Sequence, residues 1–158
     1  MSLKKHKKAP DFALPSTSNK TFKLSEDFKG KACLIFFYPK DQTKGCTQEV
    51  CSFRDNFQFF RSLDIPLVGI SRDSVESHEE FKKLHQLPFE LLSDQNGKVC
   101  KAYNALIPLI KVPKRITYLL DKDHRIVSIH EGLLDGPAHV EAMMEQIQKI
   151  NSQQISNG

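Results

Sequence analysis

The stretch "YPKDQTKGCTQEVCSF", residues 38–53, sets two thiols, Cys46 and Cys51, five positions apart at the start of a helix-like pattern. Cysteine thiolates carry redox and nucleophilic chemistry, but this spacing is awkward for a bond between the pair. On an intact α-helix the two Cα atoms stand about 8.6 Å apart and on different faces. A disulfide tolerates a separation of only about 7 Å. Either these cysteines never meet, or the helix must open to let them.

The neighbouring residues distinguish the two thiols. Cys46, Val50, Phe53 and Phe57 fall at i, i+4, i+7 and i+11, so Cys46 shares the apolar, inward face. Cys51 falls with Asp55, Gln58 and Ser62 on a more polar one. Cys46 also stands at the helix amino terminus, where free N–H groups and the macrodipole favour negative charge. The hydroxyl of Thr43, three residues earlier, can point at the same spot. Gly45 lets backbone approach closely, and Pro39, at the end of the preceding strand, can shield the sulfur from water.

Blander readings fit the other candidates. A zinc site needs about four ligands, and this segment offers no third. Cys33, in an apolar strand, and Cys100, on the apolar side of a short helix, read as small hydrophobes. The 6 histidines are scattered, none at ligand spacing with another, and read as surface or structural residues. Met143 and Met144 read as core and rim of the last helix, and Arg54 with Asp55 as a surface ion pair.

Positioning Cys46 falls to the elements around it. "KACLIFFYP" (31–39) is a continuous apolar run ended by Pro39, the pattern of a buried central strand. "IPLVGISRD" (65–73) reads as a second buried strand and "FELLSD" as a third, short one. Helices are expected from Cys46, over 74–87 behind the N-cap Ser74, over "NGKVCKAYNAL" and over 137–150. "RITYLLDKDHRIVSIHEG" (115–132) reads as a hairpin turning at "DKDH". Residues 10–30 form an opening segment with turn formers and a short alternating pattern. Alternating strands and helices followed by an antiparallel pair predict a mixed central sheet flanked by helices, an order that a thioredoxin-like α/β fold satisfies.

With 158 residues the chain suits one domain, 1–158, carrying a basic flexible arm over 1–8 and a flexible polar tail over 151–158. Lys4, Lys5, Lys7 and Lys8 account for the net charge of +4, since 23 basic side chains less these four leave 19 against 19 acidic ones. A neutral body speaks against a nucleic-acid binder. The longest apolar run, "ACLIFF", is far shorter than the roughly 20 residues of a membrane helix, and no signal peptide is visible. The expectation is a cytoplasmic protein, in a compartment where cysteines are redox-active or metal-binding more often than structural.

The pattern Pro39-x3-Thr43-x2-Cys46 within "FFYPKDQTKGCTQEVCSFRD" resembles the active-site segment of the peroxiredoxins, specifically the bacterioferritin-comigratory or Q-type subgroup. The resemblance runs from "APDFALP" through "LVGISRDSVESHEEFKK" and "FELLSD" to "KRITYLLDKD". It implies a thioredoxin-like fold with a peroxiredoxin-type amino-terminal extension. By the same likeness Cys46 is the peroxidatic cysteine and Cys51 the resolving one, with Cys100 second in line for that role. Thr43 matches the hydroxyl that positions the peroxide, and Pro39 the shielding proline. Arg115 matches the arginine beside the thiolate, and Glu49 the acidic residue that holds it. "NALIPLIKVPKR", before Arg115, lies where the family varies. The implied activity is thiol-dependent reduction of hydroperoxides through a Cys46 sulfenic acid and a Cys46–Cys51 disulfide, recycled by thioredoxin or a similar dithiol protein. The resemblance implies no metal, flavin or haem, and a monomer; the neutral body and the short apolar runs are the ground for expecting no nucleic-acid or membrane partner. Two rivals are a disulfide oxidoreductase, disfavoured by the lack of a Cys-x-x-Cys motif, and a redox-sensing or holdase protein.

Overall fold

The structure, a computed structural model, describes residues 2–133 and 135–157, the side chains of 152–157 excepted. Strand β3 (Cys33–Phe37) lies at the centre of a five-stranded sheet because its run of apolar side chains has both faces covered. It pairs in parallel with β4 (Leu67–Ser71), which pairs in parallel with β5 (Glu90–Ser93). On its other side β3 meets β6 (Ile116–Leu120) antiparallel, and β6 meets the edge strand β7 (Ile126–Glu131). The order is β5-β4-β3-β6-β7, the mixed sheet expected from the alternation of elements. The β6–β7 turn is at "DKDH", where His124 takes φ +62° and its N–H donates to the Asp121 carbonyl at 2.9 Å.

Alternation along β3 feeds two cores. Leu34, Phe36 and Tyr38 face a layer made by Val50 and Phe53 of α2 (Lys44–Asp55), Phe60 of α3 (Phe57–Ser62), Phe81 of α4 (Val75–His85) and Val140 and Met143 of α6 (Gly136–Asn157). Cys33, Ile35 and Phe37 face the other layer. There they meet the hairpin of β1 (Ala13–Pro15) and β2 (Thr21–Lys23), Leu24 of α1 (Leu24–Asp27), Cys100 of α5 (Lys98–Ala102) and Tyr103. The opening segment is therefore a hairpin that closes one face of the sheet.

Several element bounds differ from the reading of the sequence. Helix α2 starts at Lys44, two residues before Cys46, because Thr43 takes the extended N-cap conformation (φ −86°, ψ 155°). The apolar stripe through Phe57 and Phe60 continues, but the helix breaks at Asn56 and resumes as α3. The last helix runs on to Asn157, through most of the stretch expected as a tail; Gly158 lies outside the described residues. Part of the basic arm meets the sheet edge, where His6 N–H donates to the Ile126 carbonyl at 2.7 Å and Ile126 N–H to that of Lys7 at 2.9 Å. Met1 lies outside the described residues. Among the described residues no helix is long and apolar enough to cross a membrane.

Candidate active site

Two adjacent strands and two helices converge where β3 ends. Phe37 pairs with Ile116, so Arg115, one residue before β6, is set level with the start of the loop that carries Pro39 and Thr43. That loop passes through Gln42 at φ +64°, reaches Thr43, and α2 begins. Cys46 is the third residue of α2, on its inner face and fully buried. Thr47 N–H makes a bond to the Thr43 carbonyl at 2.8 Å, so the amides before it are among those a helix start leaves without a helical partner.

The Arg115 guanidinium is held at all three nitrogens. Nε donates to the Leu133 carbonyl at 2.9 Å, Nη1 to Glu49 Oε1 at 2.9 Å, and Nη2 to Cys46 Sγ at 3.4 Å. Close packing makes this possible. A Cβ on Gly45 would stand 3.0 Å from Arg115 Nη2, which is the close approach read from the sequence at Gly45. Burial by itself lowers the Arg115 pKa, but Glu49 and Cys46 carry it above its ordinary value. Glu49 lies one turn from Cys46 on the same face and is wholly buried. Burial pushes its carboxyl up to about 8 against the pull of Arg115. The physical cause is desolvation, because a carboxylate with no water around it costs more than one guanidinium returns.

Helix α6 completes the cluster. Gly136 sits against α2, where a Cβ would fall 2.6 Å from Glu49 Cβ and 2.8 Å from the Gly45 carbonyl oxygen. One turn later the buried His139 places Nε2 2.8 Å from the Gly132 carbonyl, which accepts its hydrogen. Nδ1, 2.9 Å from Thr117 Oγ1, then accepts from that hydroxyl in the neutral ring. Burial drives His139 down to about 4, outweighing the bond to Gly132. Nδ1 is also 3.8 Å from Glu49 Oε2, a buried oxygen without a hydrogen-bond partner among the described residues.

The structure thus brings Cys46, Glu49 and Arg115 into contact. Thr43 is exposed, and its hydroxyl donates to the Lys40 carbonyl at 2.8 Å. Pro39 is half-buried in the same loop. Cys51 is half-buried and packs against the core layer of α2. All four cysteines are free thiols, and with α2 unbroken from Lys44 to Asp55 the pair at i and i+5 cannot bond. Cys33 and Cys100 are wholly buried; burial first, then Asp121, pushes Cys33 up to about 12, and burial first, then Asp94, raises Cys100 further. Arg54 Nε bonds Asp55 at 3.0 Å, the ion pair expected.

Two groups of residues escaped the reading of the sequence. His139 was recoverable, since it shares a stripe with Met143 and Ile147 at i, i+4 and i+8. A second buried polar cluster joins Tyr38, Asp41, Asp73 and His78, whose ligand-type atoms on Asp41, Asp73 and His78 lie within 4.8 Å of one another. Only His78, beside Phe81 on the inner face of α4, carried a local signal there.

Comparison with known proteins matches the family described as AhpC/TSA to residues 6–129. The chloroplastic peroxiredoxin Q of rice (Oryza sativa subsp. japonica) is 37% identical over 143 residues, covering 90% of this chain and 65% of that protein. This chain therefore spans about two thirds of the rice protein's length. Peroxiredoxin Bcp of Bacillus subtilis is 41% identical over 133 residues, 80% of this chain and 84% of its own. Among solved structures, peroxidoxin BcpB of Mycobacterium tuberculosis superposes with a TM-score of 0.88 at 29% identity, over 94% of this chain and 98% of that one.

Proposed function

The chain belongs to the AhpC/TSA family and has the thioredoxin-like fold of its peroxiredoxin relatives, and on that premise we propose that it is a thiol-dependent peroxidase acting on hydrogen peroxide and organic hydroperoxides. The observation that carries this reading is the Arg115 guanidinium, shared between Cys46 Sγ and Glu49 at the first turn of α2. Cys46 thiolate attacks the terminal oxygen of the hydroperoxide; an S–O bond forms and the O–O bond breaks. The electron pair leaves on the second oxygen, which takes a proton to give water or an alcohol. Arg115 and the amides at the start of α2 are placed to stabilise the negative charge developing there. Thr43 spends its hydrogen on the Lys40 carbonyl, so its oxygen is left to accept from the hydroperoxide O–H. Pro39 shields the sulfur.

Cys51 then attacks the sulfenic sulfur; an S–S bond forms and water leaves. The first turns of α2 must unwind for this, forfeiting a few backbone hydrogen bonds worth about 0.5–1.5 kcal/mol each. A dithiol protein such as thioredoxin reduces the disulfide and the helix re-forms. In this reading the chain works as a cytoplasmic monomer. Peroxide consumption coupled to thioredoxin and its reductase tests the proposal. Steady turnover is the expected result, whereas one equivalent consumed without turnover would point to a redox sensor.

A further inference from the structure

Asp41 fastens the loop that follows β3. Its Oδ1 accepts from the Tyr38 hydroxyl at 2.6 Å, and its Oδ2 from the Ser77 hydroxyl at 2.8 Å and from His78 Nδ1 at 2.7 Å. The Asp41 N–H donates to Asp73 Oδ2 at 2.9 Å, and Asp73 is held in turn by the Ser71 hydroxyl. His78 Nε2 donates to the Leu92 carbonyl at 2.9 Å. The end of β3, the end of β4 and the first turn of α4 thus meet on one aspartate, which is 4% exposed, and His78 extends the fastening to β5. The carboxylate is filled by donors, so the cluster reads as a fastening and carries no metal proposal.

The next residue shows what is fastened. Gln42, a non-glycine residue, stands at φ +64°, a strained backbone that persists only where its surroundings over-determine it. Here it is held on one side by Asp41 and on the other by the Thr43 hydroxyl bonded back to Lys40. Immediately after it come the N-cap and first turn of α2, with Cys46 on the inner face. A network serving stability alone could be replaced by apolar packing at little cost. This one is attached to the strained turn that aims the reactive helix.

We propose that the Tyr38–Asp41–His78 network, with Ser77 and Asp73, positions the peroxide-reacting site: it holds the Gln42 turn, and thereby the placement of Thr43 and the first turn of α2 around Cys46. Asp41 is on this view a positioning residue, and the inference rests on the peroxidase reading. The test is the single-turnover rate of Cys46 oxidation by hydrogen peroxide in the full chain, followed by intact mass, with urea midpoints showing that each variant is folded during the assay. Asp41→Asn should slow oxidation about 10-fold and Ser77→Ala, which removes one donor of three, about 3-fold, magnitudes typical of a loosened preorganised site. In either slowed variant Gln42→Gly should recover part of the rate, because glycine takes a positive φ without the strain that the fastening has to overcome. Should Asp41→Asn not fold, Ser77→Ala alone and with Gln42→Gly decides. Folded variants that react like the wild type, or a loss that Gln42→Gly does not recover, would overturn the inference alone. A wild-type chain whose Cys46 ignores peroxide would overturn the peroxidase reading and this inference with it.

Discussion

Two buried polar clusters flank the start of α2, and they are finished differently. Around Asp41 both carboxylate oxygens have donors. Around Arg115 one guanidinium faces both a thiol and a carboxyl, and Glu49 Oε2 has no hydrogen-bond partner among the described residues. Both lie in low-dielectric surroundings, where a satisfied network rigidifies and an unsatisfied one is costly. The cost is tolerated where the unspent charge has work to do. The completed cluster therefore reads as scaffold and the incomplete one as the reactive site.

The sharpest way to break this contrast is to find the second reactive thiol in a buried pocket of the scaffold. Cys51→Ser should consume one equivalent of peroxide, stall as a sulfenic acid or over-oxidise, and cease turnover with thioredoxin. Cys33→Ser and Cys100→Ser should turn over nearly as wild type, since burial keeps both thiols protonated. Coupled rates and intact masses decide it. If Cys51→Ser cycles while Cys100→Ser stalls, Cys100 resolves the intermediate.

Arg115→Met should slow peroxide consumption by about 10²–10³-fold, as losing a charge-stabilising donor does. It also leaves the buried Glu49 carboxyl without its hydrogen-bond donor, at a cost of about 1–3 kcal/mol in urea unfolding. Adding Glu49→Met, which removes the unpartnered group, should restore part of that stability and none of the rate. A double variant as unstable as the single one would show that Arg115 is not shared in the way described. Thr43→Val, which keeps the volume and removes the hydroxyl, should cost about 10–10²-fold in rate at unchanged urea midpoint, the effect of one lost polar contact to the reacting group.

The smallest effect is on stability against pH. With Glu49 raised to about 8 from 4.5, the folded chain keeps a proton that the unfolded chain has released, so stability falls as pH rises through that window. With His139 lowered to about 4 from 6.5, the unfolded chain takes up the proton first, so stability rises with pH there. The two oppose each other up to about pH 6.5, above which Glu49 acts alone. Unfolding free energy should decline from pH 6.5 to 8 by at most about 1.4 kcal/mol per unit, and Glu49→Gln should flatten the slope. An equal slope in both proteins would remove Glu49 from the account.

The two clusters were not equally legible in the sequence. Cys46, Thr43 and Pro39 are close together in the chain, and Arg115 and Glu49 were reached through the family resemblance; a local pattern alone does not pair positions 66 residues apart. The mixed sheet was readable because the apolar run of β3 and the turn at "DKDH" are local signals, whereas the strand order β5-β4-β3-β6-β7 came from the structure. Asp41 drew no reading from the sequence, and His78 was read only with the other histidines, as a surface or structural residue. Their meaning depends on a partner 37 residues away, and nothing in either neighbourhood announces it. The start of α2 was misplaced for a related reason: Thr43 caps through backbone geometry, with no side-chain bond to the helix.

The seat of Gly136 on Glu49 and on the Gly45 carbonyl has an electrochemical consequence. In the proposed cycle the reduced chain keeps α2 wound and docked against α6, and the disulfide forfeits that docking. Whatever holds the helix shut therefore favours the dithiol and raises the reduction potential of the pair, by about 30 mV for each 1.4 kcal/mol. Alanine at Gly136 would push α6 off the first turn and move the potential downward. A snugly buried helix makes the oxidised enzyme the better oxidant, so that a reductant poised near −270 mV, such as thioredoxin, returns it downhill to the state that meets the next peroxide.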